Sequence, residues 1–178
     1  NKEQAAKMLG QLFAHAPMLM RAYTEPVINE FINQLQDPVN APNSTKSVLE
    51  AVGLQAKVSG EEIKPHADRL FVLLLKTVEE PSSESERDMA LWTLGQLIEN
   101  TGFVIEPYWK YPRLLDILLD LVRKEQAPSV RKKAIRALGL LGAIDPYRHQ
   151  VNIGQAGQTN ELLSSISDDG NGLQLYEI

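Results

Sequence analysis

A glycine recurs inside four short apolar stretches, at Gly10, Gly53, Gly95 and Gly139, with spacings of 43, 42 and 44 residues. Each follows an aliphatic residue (Leu9, Val52, Leu94, Leu138), and leucine stands two places later at Leu12, Leu97 and Leu141, with Gln55 as the exception. Seven residues after each glycine comes a residue that stops a helix: Pro17, Gly60, Gly102 and Pro146. Thirteen residues after the first three come Tyr23, His66 and Tyr108. A register held at several offsets together specifies a repeated unit, and a period in the low forties is that of stacked helical repeats. A glycine inside a helix costs about 1 kcal/mol relative to alanine. Four at equivalent positions imply a packing reason, a neighbouring backbone too close for a Cβ. On that reading Gly95→Leu costs more than about 1 kcal/mol through overpacking.

Each unit reads as two helices. The first carries apolar residues at helical spacing, as in Met89, Ala90, Trp92, Leu94, Leu97 and Ile98, or Val130, Ala134, Ile135 and Leu138. Second helices are predicted over 26–35, 63–78 and 112–122, each with its own apolar stripe, such as Leu70, Phe71, Leu74, Leu75 and Val78. Polar, proline-bearing linkers at 36–43, 80–84 and 126–129 cannot continue a helix. Ser44 or Asn43, Ser83 or Ser85, and Ser129 are natural N-caps for the helix that follows. No alternating apolar run asks to be a strand. The expected fold is all-α: an α-solenoid of about three and a half HEAT repeats, the two-helix unit fitting better than the three-helix armadillo unit. The predicted units are 1–36, 37–80, 81–126 and the first part of a fourth at 127–150, followed by a polar loop or insertion at 151–178. Arg87 and Arg131, eight residues before their glycines, stand where HEAT first helices often carry a basic residue. The end units are expected to leave Met8, Leu12, Leu138 and Leu141 exposed.

Composition narrows the function. The 178 residues carry 18 Lys+Arg against 23 Asp+Glu, a net charge of −5. Affinity for phosphate backbones comes mainly from Lys and Arg, so nucleic acid is a poor partner for this chain. Cysteine is absent, which removes disulfides, thiolate nucleophiles and Cys-ligated zinc together. The longest apolar stretches, such as Leu70–Leu75, are far too short to span a bilayer. The chain opens inside a helical pattern without an initiator Met or a signal-peptide layout, and so reads as an intracellular segment of a longer protein. No Gly-rich phosphate loop, nucleophile elbow, zinc-binding histidine pair or protein-kinase signature is present. His15, His66 and His149 fall in turns of different repeats, and adjacent carboxylates such as Glu61-Glu62 diverge by about 100° on a helix. The catalytic, cofactor and metal residues expected here are therefore none.

The candidate partner contacts are Trp109, which has no counterpart in the other units, and the cluster Arg131, Lys132, Lys133 and Arg136 on one helix. The first is of the type that anchors interfaces; the second would suit an acidic partner. Ser164, Ser165 and Ser167, followed by Asp168 and Asp169 in a stretch too polar to pack, are candidate phosphosites.

Two strings are more specific than any generic repeat. The run Ala90-Leu91-Trp92-Thr93-Leu94-Gly95-Gln96-Leu97, with Thr101–Tyr108 and Lys110-Tyr111-Pro112, resembles the HEAT region of target-of-rapamycin (TOR) kinases. So does Arg136–His149, which includes Ile144-Asp145-Pro146-Tyr147. The resemblance runs from about Glu3 to Gly154. It implies a non-catalytic scaffold segment of a very large Ser/Thr protein kinase active in nutrient and growth signalling. Such a segment helps build the dimer and docks adaptor subunits such as raptor. ATP and Mg would belong only to the distant kinase domain, and none of that domain's residues lies here. The implied setting is cytoplasmic, with recruitment to lysosomal or other endomembrane surfaces through partners. A HEAT adaptor of another class, importin-like or a phosphatase scaffold, is the alternative, and neither requires the Ile144–Tyr147 string.

Overall fold

The computed structural model describes residues 2–36, 44–102 and 110–141. The chain divides into two compact units, 1–143 and 144–178, and all described residues fall in the first. These are helical throughout, without a strand among them. In order they form α1 (Lys2–His15), α2 (Pro17–Met20), α3 (Thr24–Gln36), α4 (Thr45–Ile63), α5 (Ala67–Glu79), α6 (Glu84–Thr101), α7 (Leu114–Lys124) and α8 (Pro128–Leu140). Short 3₁₀ turns at Arg21–Tyr23 and Lys64–His66 lead into α3 and α5.

The four glycine-bearing helices stack in sequence, α1 on α4, α4 on α6 and α6 on α8. The second helix of each unit packs most closely along the first helix of the next: α3 along α4, α5 along α6, α7 along α8. One core runs through the stack, with Ile28, Phe31, Val48, Leu49, Leu70, Phe71, Leu91, Leu94, Leu114, Leu118, Val130 and Ala134 fully or almost fully buried. Burial of this apolar surface is the main force that holds the units together. Gln55, the exception to the leucine register, is also fully buried, and its Nε2 donates to the Thr24 carbonyl at the start of α3 (2.8 Å). Thr93 Oγ1 donates across to the Leu49 carbonyl at 2.8 Å, joining α6 to α4.

The expected stops take different forms. Gly102 ends α6 in the left-handed conformation (φ 67°), which glycine adopts without strain. Pro17 opens the short α2. Near Gly60 the helix kinks instead, with Ser59 at φ −130° and ψ 37°, and α4 continues to Ile63, so α5 starts four residues later than predicted. Ser83 caps α6 through its side chain, accepting from the Glu86 amide at 3.2 Å. Ser44 holds the cap position of α4. Ser129 does not cap: Ala127 occupies that position with Pro128 in the first turn, and the Ser129 hydroxyl donates to Asp88.

Of the four register glycines only Gly10 meets the expected neighbouring backbone; Gly53 is crowded by a side chain, and Gly95 and Gly139 are not crowded. A Cβ on Gly10 would lie 3.0 Å from the Ala51 Cα, and one on Gly53 only 2.3 Å from the Trp92 ring. On Gly95, however, it would meet only Leu140 Cδ1 at 3.6 Å, an ordinary contact, and on Gly139 nothing among the described residues. Gly60 is the tightest, with the Asn100 carbonyl oxygen 2.1 Å from a would-be Cβ. Two assignments of exposure also change. Ile135 is 55% exposed and Ala137 takes its place in the buried stripe of α8, while Leu141 is buried and Leu138 half-buried. Met8 and Leu12 are exposed as expected, and so are Met18 and Leu19 of α2.

Candidate docking site

Helix α8 owes its orientation to two stripes. Val130, Ala134, Ala137 and, just beyond the helix end, Leu141 bury one side of it. The adjacent stripe of Ser129, Lys133, Arg136 and Leu140, again at helical spacing, faces α6. Across the junction, Lys133 Nζ pairs with Asp88, which also accepts from Ser129 Oγ at 2.5 Å. Arg136 Nη2 pairs with Glu99 Oε2 at 3.0 Å. Asp88 and Glu99 stand eleven residues apart on α6, three helical turns, and so share a face.

Between these two ion pairs lies a groove of about 320 Å³, floored by Leu91, Trp92 and Gly95 and walled by Ser129, Lys132, Lys133 and Arg136. The floor is apolar and the wall basic. Lys132 and Arg131 are exposed and form no ion pair among the described residues, and Arg131 lies outside the groove lining. The structure thus brings together Lys132, Lys133 and Arg136 of the candidate contacts. It gives two of them intramolecular carboxylate partners. Trp109 and the serines Ser164, Ser165 and Ser167 lie outside the described residues.

Sequence reasoning missed Trp92, Gly95, Asp88 and Glu99 as parts of this site. Trp92 and Gly95 read as core, which they partly are. Asp88 and Glu99 stand eleven residues apart and Lys133 and Arg136 only three, so no matched spacing signalled these pairs.

Other polar groups serve the stacking. Arg87 donates from Nε to the Val78 carbonyl (3.1 Å) and from Nη1 to Glu125 (2.6 Å), tying the ends of α5 and α7 to the start of α6. Glu125 also accepts from the Gln126 and Ala127 amides, and the Ala127 bond, ahead of Arg87, holds its carboxyl below the usual range. Arg21–Glu62, Lys110–Asp68 and Arg113–Glu79 join residues roughly one repeat apart. Tyr111 stacks on Phe71 with ring centroids 5.4 Å apart, and its hydroxyl donates to the Asp68 carbonyl at 3.0 Å. Burial, then the Asp68 carboxylate, push the phenol up, so it stays neutral and keeps its proton to donate. No group of His, Asp and Glu able to hold a metal ion occurs among the described residues.

The family model for the "Serine/threonine-protein kinase mTOR domain" matches residues 104–174. Over 171 residues, 94% of this chain, the sequence is 43% identical to the Serine/threonine-protein kinase mTor of Drosophila melanogaster. It is 34% identical over 84% of its length to the Serine/threonine-protein kinase TOR2 of Saccharomyces cerevisiae. A third relative, the Serine/threonine-protein kinase TOR of Arabidopsis thaliana, is 32% identical over 95% of the chain. The chain spans only 6–7% of the length of these relatives. No described helix is long and apolar enough to cross a membrane.

Proposed function

The chain belongs to the target-of-rapamycin kinase family, and from that premise we propose that it is a non-catalytic scaffold segment supporting complex assembly and adaptor docking in nutrient and growth signalling. One observation carries the reading: among the described residues the long-range polar contacts, from Arg21–Glu62 to Arg136–Glu99, join neighbouring repeats instead of converging on a reactive centre. A stack of that kind is stiff along its length and offers long surfaces to other proteins. The partners are a raptor-type adaptor and the rest of a TOR chain, within a dimeric complex. Phosphoryl transfer, with its ATP and Mg, belongs to a distant catalytic domain of the larger protein. The complex works in the cytoplasm and reaches lysosomal or other endomembrane surfaces through its partners.

Deleting residues 2–141 from the full-length kinase tests this. The deletion should abolish co-purification of the adaptor and dimer formation, while phosphorylation of a short peptide substrate persists. Retained adaptor and dimer, or loss of peptide phosphorylation, overturns the proposal.

A further inference from the structure

The repeat register supplies an internal template for the groove between α6 and α8. At the preceding junction, the residue three places before the glycine of α6 is Trp92, and its ring covers Gly53 of α4. At the equivalent place in α8 stands Arg136, three before Gly139. Arg136 turns to Glu99 instead of covering Gly95. Leu140 reaches toward Gly95 only as far as van der Waals contact. The position that an indole fills in one junction is therefore left open in the next, and the open volume is the groove floored by Leu91, Trp92 and Gly95.

We propose that this groove docks an acidic peptide segment of a partner protein, which inserts one aromatic side chain over Gly95 and sets its carboxylates against Lys132 and the neighbouring cations. The aromatic anchor follows from the floor, where Leu91 and Gly95 are already buried and an incoming ring would cover the part of the Trp92 indole that is still exposed. Acidic flanks follow from the wall. Lys132 has no carboxylate partner among the described residues, and Arg131 stands next to it on the exposed side of α8. Arg136 has one N–H directed at Glu99 and further donors in its fork, so an added carboxylate can share it. A basic peptide would instead meet Lys132 and its neighbour Arg131 with like charge, while Lys133 and Arg136 are already paired with Asp88 and Glu99. A free anion alone would leave the Leu91–Trp92 floor unfilled. This inference rests on the scaffold reading and assigns it a place and a partner chemistry.

The test is fluorescence anisotropy with the full-length kinase and a labelled synthetic peptide carrying one tryptophan followed by a short acidic run. Control peptides replace the tryptophan by alanine or the acids by lysine. Each control should bind about tenfold more weakly or less, as for loss of an interface anchor. Gly95→Leu, which fills the groove floor from within, and Lys132→Glu, an exposed change that leaves the core untouched, should weaken the parent peptide to a similar degree. Equal binding of the parent peptide to wild type and Lys132→Glu overturns the proposal, whatever Gly95→Leu does to folding. Absence of peptide binding in a protein that still co-purifies its adaptor overturns the groove and leaves the scaffold reading standing.

Discussion

The α4/α6 junction and the α6/α8 junction are built on the same repeat position and are finished differently. At the first, Trp92 covers Gly53, Thr93 donates to the Leu49 carbonyl, and Asn100 presses its backbone against Gly60. At the second, an arginine replaces the tryptophan, two ion pairs replace the buried hydrogen bond, and the glycine faces an open groove. Periodicity conserves where the helices run. It does not conserve how closely they approach, because side-chain volume at three or four positions sets that distance. A junction that is closed adds stability; one that is left open adds surface for a partner.

The comparison breaks most visibly at the closed junction. Gly60→Ala places a Cβ 2.1 Å from the Asn100 carbonyl oxygen, and neither group can turn away without moving backbone. We expect a loss of about 3 kcal/mol, at the upper end of overpacking costs. Gly53→Ala meets a ring that can tilt, at 2.3 Å from Trp92, so its loss should be smaller, about 1–2 kcal/mol. Denaturant titrations of both variants check the order. Two unchanged midpoints would mean that the junction is not closed.

Arg87 and Arg131 sharpen the same contrast, because they share one repeat position. Arg87 holds the Val78 carbonyl and Glu125, whereas Arg131 forms no ion pair among the described residues. Arg87→Ala should cost about 1–2 kcal/mol, discounted for partial solvent screening, and Arg131→Ala close to nothing. The Glu125 carboxyl is held low mainly by the Ala127 amide and then by Arg87. Its stabilising share is therefore complete above the ordinary carboxylate value of about 4.3 and is lost as pH falls through the depressed folded value. Glu125→Gln should flatten that part of the acid limb in a plot of stability against pH. An acid limb identical to wild type would remove Glu125 from the account.

Much of this was readable in advance. The glycine register, the proline linkers and the apolar stripes place seven of the eight described helices to within a few residues, because periodicity and backbone chemistry are local properties; the short α2, at a proline read as a stop, is the one they do not give. The kink at Ser59 was not readable, since Gly60 tolerates both a stop and a bend, and the close approach of the Asn100 backbone to Gly60 comes from the stacked neighbour and not from local sequence. Helical spacing alone lets Ile135 or Ala137 complete the buried stripe of α8 with Val130 and Ala134. The facing carboxylates Asp88 and Glu99, through Lys133 and Arg136, select Ala137. The candidate site was legible only as a cluster of charges. That two of those charges have partners 45 and 37 residues upstream is a fact of stacking geometry, which composition does not contain.

The smallest measurable change in stability has the opposite sign from the first. Gly95 lies in the middle of α6 with no positive φ, and a Cβ there would touch only Leu140 Cδ1 at 3.6 Å. Alanine would therefore meet no clash, would restrict the unfolded chain, and would remove the propensity penalty of glycine. Gly95→Ala should stabilise the chain by about 0.5–1 kcal/mol, where the same change at Gly53 destabilises it. If the groove is a docking site, a single methyl at its floor should also begin to crowd the aromatic anchor. The two measurements would then diverge, with a higher thermal midpoint and weaker peptide binding in one variant. A Gly95→Ala protein that is less stable than wild type would mean that α6 and α8 approach as closely as α4 and α6 do. The difference between the two junctions, and the groove with it, would then disappear.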